Sequence, residues 1–493
     1  MKKTAFSIML LLLAAFSYAQ TYNIRDWGAT TDTTRLNTKN IQSAIDKCHE
    51  SGGGEVLVPA GTYYTGTIFL KSNVYLRLLP GSVLQGSYDP AQYPEHNIAA
   101  RKKYGTITRK DPYTSWLKAL IIADNLTNSG IIGEGTVKGA GEGKAFQLGE
   151  NKSGKPINIL FIGCRNVKLK DIRVLNSAQV TISISDCEDM VIDGLYVNSF
   201  VNWNTDGMDV DGRNITISNC IIDSEDDALC FKSEYTDKIC ENITATNCIL
   251  SSNCNGLKFG TGSKGGFKNI AVSNMVIRKP SKDLLRKWNI LPGIVKKTNT
   301  NSVNTGIVIL GVDGGIVENI NISDIVMTDV ISPIMIRVGK RSLNGQGKPS
   351  VMRNISIHGI TAEVQSIIPS IIAGLPESTV QDVRISDMRI VLPGDVREIK
   401  DFPAQVPEND KGYPENRMFG LRLPASGFYA RHVEGLYLSD ISITTQLQDI
   451  RPVFVFDNVS DGILKNIRYN NKPIKNNKTE LEKRNNAQVM LTN

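Results

Sequence analysis

Short runs of alternating apolar and polar residues recur along most of this chain, each opened by Asn, Asp or Gly. The clearest copies are Asn214-Ile-Thr-Ile-Ser-Asn-Cys-Ile-Ile, Asn242-Ile-Thr-Ala-Thr-Asn-Cys-Ile-Leu, Asn269-Ile-Ala-Val-Ser-Asn-Met-Val-Ile and Asn319-Ile-Asn-Ile-Ser-Asp-Ile-Val-Met. Weaker copies begin at Asn166, Asp189, Asn354, Asp382, Gly435 and Gly462. The period of two, rich in β-branched residues, predicts strands. Asn, Ser, Asp and Gly between them suit bends that need left-handed backbone or local side-chain hydrogen bonds. Most copies follow one another at about one solenoid turn, roughly 23 to 35 residues. The intervals from 269 to 319 and from 382 to 435 are near double, and are expected to hold a degenerate rung plus a loop. No rung can bury its apolar face alone, so stacking must build the core. The pattern therefore predicts an all-β chain folded as a single parallel β-helix. Asn214, Asn242 and Asn269 should stack at equivalent bends. A repeat of this kind argues fold and not function.

The pattern changes in a few places. Residues 38–50 follow helical spacing, with Ile41, Ala44, Ile45 and Cys48 on one face, and Gly52-Gly53-Gly54 ends the run. Such a helix would cap the open end of a solenoid. Val56 to Tyr63, Thr67 to Leu70 and Val74 to Leu78 read as first rungs. Residues 86–118 read as a polar, Tyr-rich loop, 279–304 as a basic loop and 394–427 as a proline-bearing insertion. Insertions on a solenoid often build a binding groove. From about residue 470 the chain is polar and reads as a frayed tail.

Residues 1–19 carry the marks of a secretory signal: Lys2 and Lys3, the apolar stretch Ile8 to Phe16, and Ser17-Tyr18-Ala19. The apolar stretch is too short to span a membrane. The expected mature unit is one domain over 20–493, secreted or periplasmic, monomeric and not inserted in a membrane. The formal charge of +7 fits an acidic substrate but predicts little alone. An exported chain without a concentrated basic stripe gives no reason to expect nucleic acid. Seven of the eight cysteines fall between 164 and 254. Cys187, Cys220 and Cys248 are expected to stack as one ladder, and Cys230–Cys240 is the local disulfide candidate. There is no Cys-x-x-Cys pair and the four histidines are scattered, so no metal or other cofactor is expected.

Candidate chemistry sits in Asn204-Thr205-Asp206-Gly207 and in Asp226-Asp227. The two motifs lie about one coil apart, which would bring Asp206, Asp226 and Asp227 together. Converging carboxylates can supply the acid and base that flank a glycosidic bond. Adjacent Asp residues in a regular strand would point to opposite faces, so a bulge or turn over 224–227 is required.

The chain resembles glycoside hydrolase family 28, the polygalacturonase family. The likeness rests on Trp27-Gly28-Ala29, the helix with Ile41 and Ala44-Ile45, Gly52 to Tyr63, Leu70 to Leu76, Asn204 to Gly207, and Asp226-Asp227. It implies a right-handed, pectin-lyase-like β-helix and inverting hydrolysis of α-linked pectic sugar. It also implies that Asp206 and Asp227 activate water and that Asp226 is the general acid. Two family features are missing. Asn255 stands where the family's Gly-His-Gly has histidine, and Val308-Ile309-Leu310 stands where it has Arg-Ile-Lys. Lys232, Lys258, Arg337 and Arg341 are then candidates, with Asn204 and Asn255, to contact substrate. Poor activity on plain polygalacturonan is expected, and better activity on a branched, modified or mixed pectic polymer. Two other readings share these residues: a polysaccharide lyase, and a catalytically impaired carbohydrate-binding β-helix.

Overall fold

The structure is a computed structural model that describes residues 20–96, 118–149, 154–281, 302–343, 347–398, 400 and 402–492. The expected leader over 1–19, part of the loop over 86–118 and most of the basic loop over 279–304 lie outside the described residues. Nearly all strand pairing is parallel, between one coil and the next. The chain winds as a right-handed parallel β-helix. Its interior is one continuous column of Ile, Val, Leu, Met and Phe from Ile24 to Val489.

The asparagines that open the repeats do stack. Asn242 Nδ2 donates to Asn214 Oδ1 (3.4 Å), Asn269 to Asn242 (3.1 Å), Asn319 to Asn269 (2.9 Å) and Asn354 to Asn319 (2.7 Å). Each of these residues has φ between +53° and +58°. Asn tolerates this left-handed conformation better than other side-chain-bearing residues, and its amide bonds the coil below. The helix Thr38–Glu50 buries Ile41, Ala44, Ile45 and Cys48, which closes the N-terminal end of the core.

Several expectations are corrected. Neither long interval hides a rung: Ile270 pairs with Ile320 and Val383 with Leu436, so each is one coil with an insertion at a bend. Looping residues out at a bend leaves the ladder register intact. The C-terminal segment does not fray, because Leu481–Arg484 and Val489–Thr492 pair with the preceding coil. Cys187 does not stack with Cys220 and Cys248. It follows Cys164 at a different corner, opposite Gly212, whereas Cys248 lies opposite Met275. All eight thiols are free and buried. Cys230 lies on the outer face of its sheet and Cys240 in the core, which separates the expected disulfide partners.

Candidate active site

Three neighbouring coils place the candidate residues on the outer face of one sheet. Met208–Ser218, Leu229–Ser233 and Asn255–Ser263 run side by side, with Asp209 opposite Cys230 and Cys230 opposite Lys258. Inward positions (Met208, Val210, Leu229, Phe231, Leu257 and Phe259) fill the core. Strand alternation therefore sends Asp209, Asp211, Lys232 and Lys258 outward. Asp206 and Asp227 lie at the entry to their strands, where Gly207 N donates to Asp227 O (2.8 Å). The strand Ile221–Ser224 ends in a bend at 225–226, as the adjacent aspartates require. Ser224 Oγ and Ser252 Oγ both donate to Asp226 O (2.7 and 2.6 Å), and Asp226 Oδ1 accepts from Asp227 N (2.9 Å). These bonds turn Asp226 away from the path of Asp227.

Asp227 is 2% exposed and held from two sides. Lys258 Nζ donates to Oδ2 (2.7 Å) and Asn255 Nδ2 to Oδ1 (2.6 Å). Asn255 thus supplies a donor at the place where the resemblance has histidine. Lys232 Nζ lies between Asp206 (3.7 Å) and Asp209 (3.4 Å). Asp226 is more open than Asp206 and Asp227; Asn204, in left-handed backbone, brings Nδ2 to 3.4 Å from its Oδ2.

The charges bear on one another. Burial, with Asp209 and Asp226 nearby, pushes the Asp206 carboxyl well above its usual range. Burial raises Asp209 to about 6 against the pull of Lys232. Burial also disfavours the charges of Lys232 and Lys258, but Asp209 offsets it for Lys232 and Asp227 for Lys258, so both lysines titrate above the ordinary value. The cluster can therefore hold a proton on one carboxyl while others accept hydrogen bonds.

Arg337 and Arg341 lie apart from this cluster. Arg337 is fully buried and donates to the carbonyls of Gly374, Glu408 and Asn409. It anchors the insertion over 394–427, with Phe419 beneath its guanidinium at 5.1 Å. Arg341 Nε donates to Asp313 Oδ1 (3.0 Å). The position of the missing Arg-Ile-Lys is apolar: Val308 and Leu310 are buried with Val312 in a small cluster apart from the core.

Two features were not read from the sequence. Asp209 is one, although the alternation Asp209-x-Asp211 was a signal for outward acids. The other is Tyr413, which the insertion carries to the site. Its residue surface is 59% exposed, while its phenol lies in electrostatic range of Lys258, Asp227, Cys254 and Asp226. Lys258 lowers the phenol's pKa, and burial of the hydroxyl with Asp227 outweighs this, leaving it at about 12.

The chain is similar to several known proteins. A probable polygalacturonase of Vitis vinifera is 31% identical over 44% of this chain and 45% of its own length. An exo-poly-alpha-D-galacturonosidase of Dickeya chrysanthemi is 27% identical over 42% of this chain and 41% of its own length. The chain thus spans less than half the length of these curated relatives. In structure it is similar to an exopolygalacturonase of Thermotoga maritima, with TM-score 0.59 and 22% identity over 76% of this chain and 87% of that one. That likeness speaks to the fold. The profile of the glycosyl hydrolases family 28 matches residues 97–407. With the family match covering most of the chain, this protein belongs to glycosyl hydrolase family 28.

Proposed function

We propose that this protein is an exported glycoside hydrolase that cleaves α-glycosidic bonds of pectic polysaccharide with inversion. The observation that carries the reading is the convergence of Asp206, Asp226 and Asp227 around Lys232 and Lys258. Asp226, more open than the other two, is placed to give its proton to the leaving glycosidic oxygen. A water on the opposite side of the anomeric carbon attacks as the carbon–oxygen bond breaks, and its proton passes to the ionised member of the Asp206–Asp227 pair. Asp227, clamped by Lys258 and Asn255, acts as the fixed member of that pair. Solvent exchange then returns both acids to their starting states. Clamping lowers the reorganisation needed in the transition state.

The test follows hydrolysis of pectic oligosaccharides by proton NMR, with the wild type beside Asp226→Asn. The first product should be the β anomer, and the substitution should lower kcat by roughly 10²–10⁴-fold. Retained configuration would exclude inversion. Unchanged kcat would remove Asp226 from the mechanism, and an unsaturated, ultraviolet-absorbing product would assign a lyase instead.

A further inference from the structure

Resting on the hydrolase reading above, we infer that the sugar on the glycone side of the cleaved bond is uncharged, a neutral hexose or deoxyhexose rather than a uronate. Among the described residues, the four basic candidates for receiving a sugar carboxylate are already committed to the protein itself. Lys258 is 4% exposed and sits 2.7 Å from Asp227. Lys232 is shared between Asp206 and Asp209. Arg341 is paired with Asp313, and Arg337 is spent on three backbone carbonyls. Moving either lysine to a substrate would leave a buried carboxylate without its partner, which is strongly unfavourable.

The balance of charge points the same way. Among the described residues facing the site, Lys232 is matched by Asp206 and Asp209 and Lys258 by Asp227, which leaves no spare positive charge. A uronate would add another negative group where low dielectric strengthens repulsion. Beyond Lys258 on the same face, the next coil offers Val308 opposite it and then Leu310, both buried and neither a donor. What stands exposed there is Tyr413. An aromatic ring with a phenol suits the apolar face and hydroxyls of a neutral pyranose, as amphipathic side chains do elsewhere. The polymer can still carry uronates at other positions.

The experiment uses the wild-type protein and three substrates. Oligogalacturonides are compared with the same oligomers after chemical reduction of each carboxyl to a primary alcohol, which keeps ring configuration and linkage. Rhamnogalacturonan oligosaccharides, which alternate neutral and acidic units, form the third. Mass spectrometry of the products identifies the new reducing-end sugar. Expected results are kcat/KM about tenfold or more higher on the reduced oligomers than on the acid form, the scale of one charged contact, or a neutral sugar at the new reducing end of the mixed oligomer. Faster cleavage of the acid form, or galacturonate at the new reducing end of the mixed oligomer, would overturn the inference and leave the hydrolase reading in place. No hydrolysis of any of the three would overturn both. Salt supplies a second readout: residual activity on the acid form should rise with sodium chloride as repulsion is screened. A fall would indicate a cationic receptor and count against a neutral sugar.

Discussion

Lys258 and Asp227 are buried together, and each makes the other tolerable. Removing one member of such a pair leaves an uncompensated charge, with a cost of about 3–5 kcal/mol. Lys258→Met should therefore destabilise the protein by about that amount in urea unfolding. The double variant Lys258→Met/Asp227→Asn should recover much of the loss while remaining inactive. Strict additivity would mean that the two do not interact. Asp209 gives a different signature. Its folded pKa of about 6 is raised from 3.8, so the native state binds its proton more tightly than the unfolded chain. Its contribution to stability is fully present below the unfolded value and is lost as pH rises through the folded one. Burial raises that value, and Asp206, Asp227, Lys232 and Lys258, which face Asp209, adjust it. The melting temperature of the wild type should fall relative to Asp209→Asn as pH rises from 3.8 to about 6. A constant offset across that window would show that Asp209 does not titrate there.

Along each coil the asparagine ladder fixes where the chain turns. Asn242 accepts from Asn269, donates to Asn214 and holds φ at +56°. Asn242→Ala loses both bonds and keeps an unfavourable backbone, for a cost of roughly 1–3 kcal/mol. Asn242→Gly loses the bonds but adopts that backbone freely, and should unfold at higher denaturant than the alanine variant. Equal midpoints would mean that backbone conformation contributes nothing at this bend. This ladder was legible in the sequence because few residue types tolerate such a φ, so Asn, Asp and Gly recur where coils bend. The two long intervals were misread for the complementary reason: an insertion at a bend leaves the same gap as a weak rung. The acidic motifs revealed Asp206, Asp226 and Asp227, and of the four basic candidates only Lys232 and Lys258 join them, because strand alternation turns both onto the site's face. Tyr413 was invisible because an insertion, not the repeat, delivers it across the surface.

At the scale of the whole molecule, the β-helix and the segment over 394–427 are joined by a few buried side chains. Arg337 holds Glu408 and Asn409, Arg451 holds Leu423 and Ala425, and Asn416 Nδ2 donates to Asn304 O (2.6 Å). Arg337→Met removes the first of these anchors and leaves carbonyls unpaired. Limited proteolysis should then cut within 394–427 about tenfold faster or more, consistent with a lost anchor of about 1.5–3 kcal/mol, while the circular dichroism of the β-helix stays unchanged. Unaltered cleavage would show that the remaining contacts suffice. The insertion leaves its coil and returns to it without disturbing the strands on either side, since Val383 still faces Leu436. Chain length at that bend is therefore uncoupled from the register of the floor that carries the aspartates. Evolution, or a protein engineer, can graft a different segment between those two points and change what reaches the site, while the reacting groups stay where the coils put them.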